Sequence, residues 1–257
     1  MPQTSHIRYY GNIRGRKVPQ LGAVFWIIKL MTTAMGESVS DYFVHTFNPY
    51  IVVISGFIVF AACMALQFKV RRYIPWVYWL AVTMVAVFGT MAADVAHVAL
   101  GIPYIVSAAV FAVTLVAMFM LWYNVERTLS IHSIDVPRRE MFYWVSVLVA
   151  FSLGTAVGDL SAYTFGLGFF HSAILFSIVL LLPALAYRLF KLNGVLAFWL
   201  AYIMTRPVGA SFADWTGKSK SLGGLGWGDG PVAAVLGCGI ILLVIYLTIT
   251  HRDKANT

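Results

Sequence analysis

Residues 25–41 read FWIIKLMTTAMGESVSD, and three further stretches of the chain align with them without a gap over sixteen positions. The copies begin at Tyr78-Trp79, Tyr143-Trp144 and Phe198-Trp199. A glycine stands ten residues after each tryptophan, and an aspartate preceded by a small residue stands fifteen residues after it. The glycines are Gly36, Gly89, Gly154 and Gly209, and the aspartates are Asp41, Asp94, Asp159 and Asp214. Because the whole chain has only seven aspartates, this spacing indicates four tandem repeats.

The composition around these repeats is that of a membrane protein. Of the 257 residues, 60% are hydrophobic and 11% are charged, against about 45–50% and about 25% in an ordinary soluble domain. Apolar runs long enough to cross a bilayer as helices fall at 21–44, 50–68, 76–97, 103–123, 142–164, 169–189, 195–215 and 231–249. The sequence therefore predicts an all-α polytopic membrane protein with eight transmembrane helices, arranged as four parallel two-helix repeats.

The repeat pattern, defined best by Phe25-Trp26 and by MGESVSDY at 35–42, resembles a bacterial family of uncharacterised membrane-anchored proteins. That family is built from four tandem two-helix repeats of unknown function, each with a tryptophan. The resemblance covers nearly the whole chain after residue 20. It implies the repeat organisation and no established activity, so the function is argued from the residues. The domains expected are a basic segment at 1–20, a membrane domain at 21–249 with repeats at 21–68, 76–123, 142–189 and 195–249, and a tail at 250–257.

The net charge of +8 is distributed unevenly between the two sides of the spans. One side holds Arg8, Arg14, Arg16, Lys17, Lys69, Arg71, Arg72, Arg127, Arg138, Arg139, Arg188, Lys191, Arg252 and Lys254, and the other holds only Lys218 and Lys220. By the positive-inside rule, both termini and the connection 124–141 are cytoplasmic, in a multi-pass protein of the inner membrane. No soluble surface remains to bind nucleic acid. The expected partners are the lipid bilayer and a cation, and a homo-oligomer is left open.

The repeats also predict which helices lie inside the bundle. In each repeat, the glycine and the small residue four positions later form a face that lets helices approach closely in lipid. The tryptophans are expected to anchor the helices at the cytoplasmic interface. Fifteen helical residues then place each aspartate about 22 Å deeper, towards the outer side of a hydrocarbon core about 30 Å thick. The first helix of every repeat is therefore predicted to be an inner helix, and the four aspartates are predicted to converge around a central axis.

Charged residues within the spans are the candidates for the functional site. The first repeat carries Lys29, Thr33, Glu37, Asp41 and His45 at steps of four residues, and Thr90, Thr155 and Ala210 are the equivalents of Glu37. The fourth repeat contributes Arg206. A charge in a span costs at least about 2.5–3.5 kcal/mol. Pairing of Lys29 with Glu37 and of Arg206 with Asp214 would still leave three acids, which must hold protons or a cation.

Carboxylate and hydroxyl oxygens suit Mg²⁺, Ca²⁺ or Mn²⁺, and added histidines favour Mn²⁺ or Zn²⁺. The predicted ion-binding residues are Glu37, Asp41, Asp94, Asp159, Asp214 and Ser40, with His45 and His97 as further metal ligands and Lys29 and Arg206 as counter-charges.

These residues predict a secondary transporter, not an enzyme, that moves a divalent metal ion such as manganese and exchanges it for protons. The metal is then the substrate, and no resident cofactor is predicted. Two alternatives stay open. In the first, His97 and His171 bind haem or a quinone in a membrane redox protein. In the second, the aspartates only lock the repeats together in a scaffold without transport activity.

Overall fold

The computed structural model describes residues 16–95, 97 and 100–253, and within them it contains eight long helices and no strand. The helices are α1 (Ala23–Thr46), α2 (Pro49–Lys69), α3 (Pro75–Asp94), α4 (Tyr104–Glu126), α5 (Pro137–Asp159), α6 (Gly168–Phe190), α7 (Gly194–Gly217) and α8 (Asp229–Thr250). Arg8, Arg14 and Lys254, assigned to the two cytoplasmic ends, lie outside the described residues. The all-α class is confirmed.

Local sequence explains where several helices begin. Asn48 and Asn193 precede α2 and α7, and each side-chain oxygen accepts hydrogen bonds from two backbone N–H groups of the first turn. Pro75 and Pro137 begin α3 and α5, where the missing N–H has no partner to lose.

Helices α2 to α8 are long and apolar enough to cross a membrane, so the chain is a multi-pass membrane protein. The remaining long helix, α1, has 24 residues and carries Lys29, Glu37 and Asp41. All three of these side chains are buried within the protein. The charges of α1 therefore face other helices and are kept away from lipid.

The first helices of the four repeats form a closed ring, called the inner ring here. Helix α1 packs against α3 and α7, and α5 packs against the same two helices. Each second helix packs mainly on the first helix of the following repeat, so that α2 covers α3, α4 covers α5, α6 covers α7, and α8 returns to cover α1. The last repeat thus closes onto the first, as expected for parallel repeats about one axis.

The repeated glycines set the spacing of the inner ring. A Cβ atom on Gly36 would lie 2.5 Å from Ala86 Cβ, and one on Gly89 would lie 2.8 Å from Phe151 Cβ. Gly154 meets Arg206 and Pro207 in the same way, and Gly209 meets Thr33 and Ala34. Each glycine therefore abuts the inner helix of the next repeat at equivalent positions, which is the close backbone approach that small residues permit in membranes.

We expect Gly36→Ala to lower the free energy of unfolding by about 1–3 kcal/mol, because the added methyl group meets backbone atoms of Ala86 and Val87 that have no room to move. Gly22→Ala is the matched control, since a Cβ there meets nothing within 4 Å. Unfolding in mixed micelles measures both variants. Equal stability of the two would contradict the close packing.

The aromatic pairs form a second layer at one end of the inner ring, called the tryptophan end. The ring centroids of Phe25 and Trp79, Tyr78 and Trp144, Tyr143 and Trp199, and Phe198 and Trp26 lie 5.5, 5.6, 6.0 and 5.9 Å apart. The exposed fractions of Trp79, Trp144 and Trp199 are 1%, 4% and 3%. These tryptophans therefore pack between repeats, and the expectation that they anchor the helices in the lipid interface is wrong for these three.

Residues 16–20 cross this same end of the bundle. The buried Lys17 ammonium forms an ion pair with Glu140 at the start of α5 and donates a hydrogen bond to the Gln67 carbonyl, 3.2 Å away. The Gln67 amide donates to the other Glu140 oxygen at 2.9 Å. The backbone N–H of Lys17 donates to the Ile134 carbonyl at 3.1 Å. This network joins the segment before α1 to α2 and α5.

Candidate cation-binding site

The inner ring brings the five acids of the spans together at the end opposite the tryptophans, in two groups of three ligands. Glu37, Asp41 and Asp214, called the Asp41 triad here, each offer a ligand atom within 4.8 Å of the other two. Asp94, His97 and Asp159, called the Asp94 triad, meet the same condition. The predicted convergence thus takes the form of two neighbouring clusters.

Ser40 connects the two triads. Its hydroxyl donates to Asp94 Oδ2 at 3.4 Å, while the next residue along α1 is Asp41. Ser40 itself is buried. Ser40 thus places a hydroxyl oxygen at the Asp94 triad, on the helix that carries Asp41.

Arg206 is the central cation of the inner ring. Its Nη2 donates to Glu37 Oε2 at 2.5 Å and to Thr155 Oγ1 at 2.8 Å, and it also contacts Thr90 Oγ1. Its Nη1 donates to the Thr33 carbonyl at 3.1 Å. One guanidinium on α7 thereby joins α1, α3 and α5. Its partners Glu37, Thr90 and Thr155 occupy the same position in the first three repeats.

The ion pairs differ from the two considered from the sequence. Arg206 pairs with Glu37 on the neighbouring helix α1 and not with Asp214, which lies eight residues further along its own helix. Lys29 lies towards the tryptophan end, with its Nζ 3.8 Å from the centre of the Phe151 ring and 4.0 Å from that of Tyr202. Its side chain is 1% exposed, and its Nζ has no hydrogen-bond partner among the described residues. Lys29 is therefore held by cation–π contacts.

Lys218 is a residue of the site that the sequence reasoning placed in an outer loop. Its ammonium forms an ion pair with Asp41 and lies 3.9 Å from Asp214 Oδ1, one helical turn before it. Burial opposes the charge, but the facing carboxylates of Asp41 and Asp214 raise the pKa of Lys218 above its ordinary value. The four-residue spacing from Asp214 was the available signal. Lys218 supplies a charged, tethered cation to the Asp41 triad.

The histidines differ in their positions. His97 belongs to the Asp94 triad, with its Nδ1 3.7 Å from Asp159 Oδ2. His45 is exposed and its Nδ1 hydrogen-bonds the Asp41 carbonyl of the preceding turn at 2.7 Å, so the structure does not bring it into either triad. His171 is also exposed and its Nδ1 hydrogen-bonds the Leu167 carbonyl at 3.1 Å. A haem or quinone held between His97 and His171 gains no support from this geometry.

Comparison with known proteins gives the family. A family model described as "Repeat of Unknown Function (DUF347)" matches residues 24–73, 77–128, 142–192 and 197–253. Searches of curated proteins and of solved structures gave no match. The four matched segments cover most of the chain, and each contains one aromatic-tryptophan pair and one inner-ring aspartate. The resemblance noted from the repeat pattern is thus confirmed, and the chain belongs to the DUF347 repeat family.

Proposed function

We propose that the protein is a secondary transporter that moves a divalent metal ion such as Mn²⁺ through the inner ring in exchange for protons. The observation that carries this proposal is the excess of carboxylates over cations at one end of the ring. Five acids lie in the two triads, whereas the described cations that pair with them are Arg206 and Lys218. Lys29 stacks on aromatic rings further along the axis.

The ion pairs leave the excess of carboxylates at the Asp94 triad. Glu37 has Arg206, and Asp41 and Asp214 share Lys218. Asp94 and Asp159 lie beside the His97 ring, and Asp94 also accepts a hydrogen bond from the Ser40 hydroxyl, while among the described residues neither aspartate forms an ion pair with a lysine or an arginine. Crowded acids of this kind hold protons or a cation, since several unpaired negative charges are costly to bury together. Alternation between these two states would couple metal movement to proton movement.

The proposal assigns roles to the predicted residues. Asp41, Glu37, Asp94, Asp159 and Asp214 bind the ion or carry the exchanged protons, with Ser40 between the triads. Arg206 is a fixed counter-charge that balances the acids when the ion is absent, whereas Lys29, which has the same role in the sequence-based prediction, lies against Phe151 and Tyr202 further along the axis. The coupling energy comes from an ion gradient, because the connections on the basic side are too short to contain a nucleotide-binding domain.

We further propose that α1 also spans the membrane, giving eight transmembrane helices in the inner membrane. Its charged side chains are buried in the ring, so crossing the bilayer does not expose them to lipid. The described basic residues outside the spans lie mostly at the tryptophan end, among them Lys69, Arg72, Arg139 and Arg188. The positive-inside rule then places the tryptophan end and both termini in the cytoplasm and the two triads nearer the outer face.

The test is metal flux into proteoliposomes that contain the purified chain and an imposed pH gradient. We expect Asp41→Asn to abolish Mn²⁺ uptake because it removes a ligand charge, while thermal stability stays close to that of the wild type, since asparagine keeps the shape and Lys218 retains Asp214 as a partner. Asp135→Asn is the matched control, because Asp135 lies in a connection and pairs with Arg139 outside the ring. Unchanged flux with Asp41→Asn would refute the assignment.

The scaffold alternative is favoured by one observation, the Arg206 network that joins all four inner helices. If the acids serve only to hold the ring together, Asp41→Asn should lower stability and the wild type should show no flux above empty liposomes. The same experiment therefore separates the two functions.

A further inference from the structure

The two triads differ in whether the protein supplies its own cation. In the Asp41 triad, Lys218 pairs with Asp41 and approaches Asp214, while Arg206 pairs with Glu37. In the Asp94 triad, the third member is a histidine ring, and among the described residues no lysine or arginine forms an ion pair with Asp94 or Asp159. A site for an external cation is therefore better sought in the Asp94 triad.

The hydrogen bonds of His97 leave one ring nitrogen free for a ligand. Its side chain is only 4% exposed, and its Nε2 lies 2.5 Å from Ser107 Oγ. The Ser107 hydroxyl also lies 3.0 Å from the Tyr104 carbonyl, and when its hydrogen points to that carbonyl its oxygen accepts the hydrogen of His97 Nε2. His97 Nδ1 then carries a lone pair, and it has no hydrogen-bond partner among the described residues.

His97 Nδ1 lies close to carboxylate oxygens of both aspartates. His97 Nδ1 lies 3.7 Å from Asp159 Oδ2, too far for a hydrogen bond, and within 4.8 Å of a ligand oxygen of Asp94. With Nδ1 unprotonated and both carboxylates ionised, three ligand atoms this close together repel one another unless a positive charge lies between them. The contact of Nε2 with Ser107 is also the outer-shell arrangement that fixes a metal-binding imidazole.

The backbone around this triad departs from the α-helix. Asp159 is followed by the π-helical turn Leu160–Thr164, in which the Phe165 N–H donates to the Leu160 carbonyl at 3.0 Å. After Asp94, the Leu100 N–H donates to the Val95 carbonyl at 3.1 Å, again five residues back. Helices α1 and α7 instead continue as α-helix beyond their aspartates. π-helical turns concentrate at functional sites, and here they occur in the two repeats that form the Asp94 triad.

We propose that Asp94, His97 and Asp159 form a binding site for a divalent transition-metal ion, with His97 Nδ1 and one oxygen of each carboxylate as ligands. One imidazole and two carboxylates favour Mn²⁺, Co²⁺ or Zn²⁺ over Mg²⁺ and Ca²⁺, which take oxygen ligands almost exclusively. The site deepens the proposed transport function by naming the ion class and its position. Binding at the site can nevertheless be measured without flux.

The test is Co²⁺ binding to the purified full chain in detergent, followed by calorimetry and by the visible absorption of the bound ion. We expect His97→Gln to weaken Co²⁺ binding by at least about a hundredfold and Ser107→Ala by about 10–100-fold. His171→Gln is the matched control and should bind as the wild type does, because its ring hydrogen-bonds only its own helix. Mg²⁺ at the same concentration should not displace Co²⁺.

Pulsed electron paramagnetic resonance of Mn²⁺ bound to the wild type gives a second readout, because it detects the ligand atom directly. A nitrogen coupling from a directly bound imidazole is the expected result, and it should be absent in His97→Gln. Equal Co²⁺ affinity of His97→Gln and the wild type, or Mn²⁺ without a nitrogen coupling, would overturn the proposal.

Failure of this site and failure of transport are distinguishable. Metal binding that depends on His97, together with flux that is unchanged in Asp41→Asn, would refute the transport role of the acids but still support the metal site. Flux that depends on Asp41, together with unaltered Co²⁺ binding by His97→Gln, would refute the site and leave transport standing.

Discussion

Replacement of Arg206 by methionine is expected to lower the free energy of unfolding by about 3–5 kcal/mol, the range for breaking a buried ion pair from one side. Arg206 is 1% exposed, and its loss leaves the Glu37 carboxylate in the interior without its cation. The hydroxyls of Thr90 and Thr155 lose their contacts with the guanidinium at the same time. Unfolding of the purified chain in mixed micelles measures this loss.

Two further variants test the origin of the effect. Arg206→Met combined with Glu37→Met removes both charges and should recover part of the lost stability, because no unpaired charge remains buried. Arg138→Gln is the control, since Arg138 pairs with Glu126 from an exposed position and such pairs contribute about 0–1 kcal/mol. A loss for Arg206→Met no larger than that for Arg138→Gln would show that the guanidinium does not hold the ring together.

Replacement of Glu140 by leucine is expected to lower the free energy of unfolding by a similar amount, about 3–5 kcal/mol, at the opposite end of the bundle. The exposed fractions of the Lys17 and Glu140 side chains are 1% and 0%. Without Glu140, the partners that remain to the Lys17 ammonium among the described residues are the carbonyls of Gln67 and Phe68. The Gln67 amide loses its acceptor as well.

A double-mutant cycle with Lys17→Met measures the coupling between the two side chains. The double variant Lys17→Met with Glu140→Leu should be more stable than Glu140→Leu alone, since it buries no unpaired charge. Mn²⁺ flux through the double variant should persist, because this network lies far along the axis from the two triads. Additive losses in the cycle would mean that Lys17 and Glu140 do not interact in the folded protein.

The arrangement of the helices could be predicted from the sequence because the same packing positions recur in all four repeats. Gly36 and its three equivalents occupy one position in each repeat, so a close contact made by one of them has to be made by all if the ring closes. The tryptophans obey the same rule, although the sequence suggested a lipid interface for them. An interfacial tryptophan and one packed between repeats lie at the same depth along a helix, and hydropathy does not separate them.

The convergence of the acids was predictable, but their partners were not. Pairing was considered within single helices, at spacings of eight residues, whereas Arg206 on α7 pairs with Glu37 on the neighbouring helix α1. A comparison of the repeats by layer would have helped, because Glu37, Thr90 and Thr155 share one position and surround a single arginine. The division into two triads depends on the rotation of each helix and on the π-helical turns after Asp94 and Asp159, neither of which repeat spacing encodes.

The histidines and Lys218 illustrate the same limit. His45 and Lys218 occupy equivalent positions, four residues after Asp41 and Asp214. The long lysine side chain reaches back into the Asp41 triad, while the His45 ring remains exposed beside its own helix. From spacing alone, His45 and Lys218 are equally able to contact the carboxylates. Side-chain length and packing determine that Lys218 does so and His45 does not.

The most direct test of the central claim is the location of bound Mn²⁺ in an experimental structure, found by anomalous scattering from crystals grown with the ion. The account predicts a peak inside the inner ring, within bonding distance of carboxylates of Asp94 and Asp159 or of the Asp41 triad. An ordered structure at saturating Mn²⁺ in which these carboxylates contact only one another and the internal cations, with no peak inside the ring, would contradict it.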